Sequence, residues 1–169
     1  MSDEPPPPRP RAAVLSISTS RAQGAPVDDL SGAELARFAE SLGAEVVSIE
    51  LLPDSRNAIE ERLRKLADAE RCDLILTTGG TGFAPDDVTP EATIEVSERL
   101  APGIAEAMRL ASRDHTPHWM LARNQAGIRG TTLIVNFPGS PKAIGEAGQA
   151  IAEALPHALR LVRGGTGGH

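Results

Sequence analysis

Apolar residues in this chain come in short runs that alternate with longer amphipathic stretches. Residues 12–18 (AAVLSIS) and 45–52 (EVVSIELL) read as strands, and 74–76 (LIL) is the continuous apolar run expected of a strand covered on both faces. A further strand is predicted at 131–135 (TTLIV). Between strands the period changes to that of a helix. Residues 55–71 set Ile59, Leu63, Leu66 and Ala67 on one face, with Glu60, Glu61, Arg64 and Lys65 towards water. Another helix follows Asp28 and Asp29 and runs to about Leu42, where Gly43 can end it. Two helices are predicted at 90–100 and 103–113, separated by Pro102. The last, 142–162, carries Ile144, Ala147, Ile151, Leu155, Ala158, Leu159 and Val162 on one stripe, with Pro156 as a kink. Residues 19–27 and 136–141 are polar turns. Residues 115–129 have no clear period: 115–118 look like loop, and 119–121 like a short strand or a helical turn. Strands separated by helices imply an α/β fold, a three-layer, mostly parallel sheet with helices on both faces.

At 169 residues the chain is most simply one domain with a real core. Residues 1–11, with five prolines and no apolar period, read as a disordered arm. The domain is expected over 12–163, followed by a flexible Gly-rich tail at 164–169. With 3 Phe, 1 Trp and no Tyr, the core must be aliphatic, and recognition by aromatic stacking is disfavoured. A net charge of −6 without a basic run excludes nucleic acid as the expected partner. The single Cys72 rules out an internal disulfide and fits a reducing compartment. No stretch is long and apolar enough to span a bilayer, so a cytoplasmic protein with no membrane partner is expected.

The densest chemistry lies at 74–93, LILTTGGTGFAPDDVTPEAT. Gly79, Gly80 and Gly82 allow a ligand close to the main chain, and Thr89, Pro90 and Glu91 suit the first turn of a helix. A glycine turn leading into a helix offers free N–H groups to an anion. The adjacent Asp86 and Asp87 repel a bare phosphate but welcome one that carries a metal. In an open parallel sheet, ligands bind beyond the carboxyl ends of the strands. Asp28 and Asp29, Asp54, the 79–87 turn and the 136–140 turn all fall there. Asp54 and Asp87 therefore have two readings: ligands that share Mg²⁺ with substrate phosphates, or helix caps, since Asp54 immediately precedes a helix. His115 and His118, three apart in a Pro-containing loop, lack a third ligand and read as exposed loop residues, whereas His157, after Pro156 near a helix end, is expected to pack or meet solvent.

These residues resemble the Mog/MoaB-type family of molybdenum-cofactor biosynthesis proteins, which includes molybdopterin adenylyltransferases and the corresponding domain of gephyrin. The likeness is carried by TTGGTGFAPDDVTPEAT at 77–93, LLPD at 51–54, DxSG at 29–32, AGIRG at 126–130 and NFPGSPK at 136–142. It implies a MogA-like molybdopterin-binding fold assembled as a homotrimer or hexamer. The implied activity is Mg²⁺-dependent transfer of an adenylyl group from ATP to molybdopterin, with pyrophosphate released and a molybdenum-insertion protein as partner. The family's essential aspartates fall on Asp54 and Asp87, as catalytic and metal-binding residues. Substrate-binding positions fall on Gly79, Gly80, Thr81, Gly82, Thr89 and Glu91, on Asp29, Ser31 and Gly32, and on Pro138, Gly139 and Ser140.

Four positions depart from the family pattern. Asp86 replaces Arg, Thr19 replaces Asp, Leu30 replaces Arg and Ala122 replaces Ser. Two lost cations and one gained anion weaken the expected hold on anionic substrates. Arg21, Arg123, Arg129 and Lys142 are the available substitutes. The alternative reading is thus a catalytically weak or inactive paralogue that binds molybdopterin or a partner protein.

Overall fold

The computed structural model describes residues 8–24 and 28–165. Four strands run parallel at its centre: β1 (Arg11–Ile17), β2 (Glu45–Leu52), β3 (Leu74–Thr78) and β6 (Thr132–Phe137). Two short strands, β4 (Arg99–Leu100) and β5 (Ala126–Arg129), extend the sheet with antiparallel pairing. The order is β2-β1-β3-β6-β5-β4. The helices are α1 (Thr19–Ala22), α2 (Leu30–Ser41), α3 (Arg56–Arg64), α4 (Thr89–Val96), α5 (Pro102–Ser112), α6 (Pro141–Ile151) and α7 (Leu155–Val162). A π turn at Lys65–Ala69 continues α3, and a 3-10 turn occupies Trp119–Leu121.

The central strands β1, β3 and β6 are buried on both faces, as their apolar runs require. On one face Val14, Leu76 and Val135 pack with Leu35 of α2, Met108 of α5, Ile144 of α6 and Leu159 of α7. On the other, Leu15, Ile75 and Ile134 pack with Ile59 and Leu63 of α3 and with Ala92 and Val96 of α4. Cys72 lies in this second core, where burial pushes its thiol pKa up.

Several boundaries differ from the sequence expectation. The predicted helix 90–100 stops at Val96, and Arg99 and Leu100 pair with Ile128 and Gly127 instead. The strand expected to end at 135 continues to Phe137, with Asn136 fully buried; its side-chain Nδ2 donates to the hydroxyls of Thr77 (3.0 Å) and Thr93 (2.8 Å). The last helix is two helices, and Pro156 sits in the first turn of α7, where its missing N–H costs nothing. Part of the polar loop at 19–27 forms α1, whereas 25–27 lie outside the described residues.

Residues 8–11, assigned to the arm, are tied to the domain. Arg11 opens β1, Pro10 accepts from the Glu45 amide (2.7 Å), and Arg9 donates to the carbonyls of Gly43 and Ala44. The arm's first seven residues lie outside the described part. Gly164 and Gly165, assigned to the tail, close α7 by donating to Leu161 and Arg160, and 166–169 lie outside the described residues. Among the described residues no helix is long and apolar enough to cross a membrane.

Candidate active site

The carboxyl ends of β1, β2, β3 and β6 meet at one edge of the sheet, and the loops leaving them build a single site. After β3 the chain turns at Gly79 and Gly80, both in the left-handed region at φ +92° and +65°. A side chain at Gly79 would strike the Ile17 carbonyl, and one at Gly80 would strike the Thr89 hydroxyl. Glycine is thus required here by close approach as well as by conformation. Thr89, expected to cap α4, instead donates through its hydroxyl to the Gly79 carbonyl (3.0 Å) and through its amide to Gly80 (3.1 Å). Thr89 therefore ties the turn to the helix start, and α4 has no side-chain cap.

Both candidate aspartates lie against this turn. Asp54 Oδ1 is 3.4 Å from where a Cβ on Gly80 would stand, and Asp87 Oδ2 is 2.8 Å from the same point on Gly82. Asp54 does not cap α3: Ser55 fills that role, accepting from the Ala58 amide (3.4 Å). Asp54 Oδ2 instead accepts from the Thr19 amide (2.7 Å) and hydroxyl (2.9 Å). Asp87 Oδ2 accepts from the Ala84 amide (2.9 Å). On each aspartate the Oδ1 atom has no hydrogen-bond donor among the described residues. Two half-exposed carboxylates, each with one oxygen free, form a donor set suited to Mg²⁺, which takes one or two carboxylates and completes its shell with water and phosphate oxygens. Among the described residues no three His, Cys, Asp or Glu side chains come together.

Beside the turn lies a cleft of about 250 Å³ lined by Ser18, Ser20, Arg21, Ser31, Thr78 and Gly139. Other predicted site residues hold the segments around it. Asp29 caps α2, accepting from the Gly32 amide (2.9 Å) and the Ser16 hydroxyl (2.5 Å), with Arg21 at 3.5 Å. The Ser31 hydroxyl donates to the Gly139 carbonyl (2.7 Å), and Thr78 donates to Pro138 (2.7 Å). Ser140 caps α6 by accepting from the Ala143 amide (3.2 Å).

Arg123 has a role that the sequence does not disclose. Its guanidinium donates to the carbonyls of Gly82 (2.8 Å) and Asp87 (2.7 Å) and pairs with Glu91. Its amide donates to the Thr81 carbonyl (2.9 Å). Arg123 therefore braces both ends of the 82–87 loop, and its hydrogen bond holds the Glu91 carboxyl below the usual Glu range. Arg129 pairs with Asp68, and Lys142 is 4.0 Å from Glu146. Of the four candidate cations, Arg21 alone lines the cleft. The positions that depart from the family pattern also separate. Leu30 and Asp86 are exposed, Ala122 is half-buried near Met108 and Asn124, and Thr19 holds Asp54. His115 lies 3.4 Å from Glu146, away from these groups.

A family model described as "Probable molybdopterin binding domain" matches residues 13–157. The molybdopterin adenylyltransferase of Helicobacter pylori is 40% identical over 153 residues, covering 89% of this chain and 86% of that protein. The molybdenum cofactor synthesis protein cinnamon of Drosophila melanogaster is 43% identical over 150 residues, covering 88% of this chain but 25% of that larger protein. The crystal structure of the molybdopterin biosynthesis enzyme MoaB from Thermus thermophilus aligns with a TM-score of 0.84 at 45% identity, covering 91% of this chain and 96% of that one.

Proposed function

The chain belongs to the molybdopterin-binding domain family, and from that premise we propose that it adenylylates molybdopterin with Mg-ATP. An anionic oxygen on the terminal phosphate of molybdopterin attacks the α-phosphorus of ATP. The bond from that phosphorus to the bridging oxygen breaks, pyrophosphate leaves, and adenylyl-molybdopterin remains. Such a transfer depends on positioning and charge neutralisation rather than on a protein nucleophile. The observation that carries this reading is the pair of carboxylates on one glycine turn, each with a free oxygen. Asp54 and Asp87 would hold Mg²⁺, which when bound offsets phosphate charge. The Gly79–Gly82 main chain would lie against the phosphates. Arg21 and the hydroxyls of Ser18 and Ser20 would receive a further anionic group in the cleft. The same reading takes the protein to be a cytoplasmic homotrimer.

A second reading, pterin binding without catalysis, is favoured by Asp86, which adds an exposed negative charge beside Asp87. One experiment separates them. Purified protein is incubated with molybdopterin, ATP and Mg²⁺, and adenylyl-molybdopterin is sought by mass spectrometry. Product that accumulates only with all three components is the expected result. Bound but unmodified molybdopterin would favour the second reading.

A further inference from the structure

We infer that Thr19 is a positioning residue for the metal site, turning Asp54 so that Oδ1 is the oxygen offered to the ion. This rests on the reading of Asp54 as a metal ligand. The geometry is reciprocal. The Asp54 amide donates to the Thr19 hydroxyl (2.9 Å), while that hydroxyl and the Thr19 amide both donate to Asp54 Oδ2, at 2.9 and 2.7 Å. Because a lone pair of the hydroxyl is committed to the Asp54 amide, its single proton is aimed at Oδ2. The carboxylate is held by a fork from the end of β1, across the gap to the end of β2. Rotation about its terminal torsion, otherwise soft, would break both bonds. Oδ1 is left on the Gly80 side, facing the turn that would carry the phosphates.

Three proteins test this: wild type, Thr19→Val, which keeps the shape and removes the hydroxyl, and Thr19→Ser, which restores it. Mn²⁺ serves as the paramagnetic probe, titrated by electron paramagnetic resonance with a non-hydrolysable ATP analogue. Metal-free analogue binding and melting temperature are measured alongside. Loss of an outer partner of a metal ligand typically weakens metal binding about 10- to 100-fold, and that range is expected for Thr19→Val. Thr19→Ser should stay close to wild type, and metal-free analogue binding should be equal in all three. A general structural defect would move the metal-free binding as well. If Thr19→Val melts early, Thr19→Ala replaces it. Wild-type Mn²⁺ affinity in Thr19→Val, with affinity lost in Asp54→Asn, would overturn the positioning role and leave the metal reading standing. Wild-type affinity in Asp54→Asn would overturn both.

Discussion

Asp87 carries its charge at the end of a loop whose main chain Arg123 holds from outside. Asp87→Asn keeps the size of the side chain and an oxygen able to accept from the Ala84 amide, and removes only the charge. Adenylylation should therefore fall by roughly two to three orders of magnitude, the usual loss when one electrostatic stabiliser is removed, with the melting temperature nearly unchanged. Turnover like wild type would sink the metal role. Asp86 differs, because it is exposed and no described side chain pairs with it. Two unit charges about 4 Å apart interact by roughly 4 kcal/mol at an effective dielectric near 20, but exposed pairs realise about 1 kcal/mol or less. Asp86→Arg should thus tighten ATP or molybdopterin binding only a few-fold, with a steeper loss on adding salt, read by calorimetry at two ionic strengths. Equal affinities at low salt would mean that Asp86 points away from the ligand. The glycine turn and both aspartates stand out in sequence because a contiguous motif carries them. The roles of Thr19 and Arg123 do not, because they act on residues 35 and 36 positions away. Only the folded chain makes those separations short.

Arg62 shows how one element is pinned to another. It lies on α3 and reaches Glu50 of β2 with two hydrogen bonds (2.6 and 2.5 Å) and Glu70 with two more (2.6 and 3.2 Å). These bonds lower both glutamate pKa values below the ordinary 4.5. A lowered folded-state value means the stabilisation is complete above that ordinary value and is lost as pH falls through the lowered ones. Arg62→Met should therefore reduce the melting temperature most near about pH 7, with the gap to wild type narrowing as pH falls below the ordinary Glu range. A gap independent of pH would make Arg62 a packing residue only. Gly148 tests a second contact between elements. A Cβ there would meet the Phe38 ring at 2.9 Å, so α6 lies on α2 with no room for a methyl group. Gly148→Ala should cost about 1–3 kcal/mol in urea unfolding; no loss would mean that Phe38 can move aside. Long amphipathic stretches such as α3 are legible in sequence because many residues repeat one period. The short strands β4 and β5 are not, since two to four residues hold too few periods to distinguish from loop. The break between α6 and α7 hides because Ile151 and Leu155 keep helical spacing across it.

At the scale of the whole molecule, the small residues of the core raise the question of assembly. Ala12, Ala13, Ala39, Ala92, Ala126 and Ala147 are fully or almost fully buried, so much of the interior contributes little area per residue. Larger apolar side chains face outward: Phe83 is 68% exposed, Met120 62% and Leu110 58%. Single exposed apolar residues are ordinary on a soluble protein, so their number alone decides nothing. Combined with the homotrimer proposed above, they suggest which surface a closed three-fold assembly covers. Leu110 lies in the last turn of α5, and Met120 lies in the 3-10 turn that follows it. Light scattering at micromolar concentration should give three times the 17.7 kDa chain mass. Met120→Asp would place a charge on that surface without touching the core, because the native side chain is already exposed. Far-ultraviolet circular dichroism should stay unchanged while the assembly dissociates on dilution. A trimer that survives Met120→Asp would put the three-fold contact on another face. A wild-type particle of 17.7 kDa would remove the assembly altogether, and would require that the cleft and both aspartates work from one chain alone.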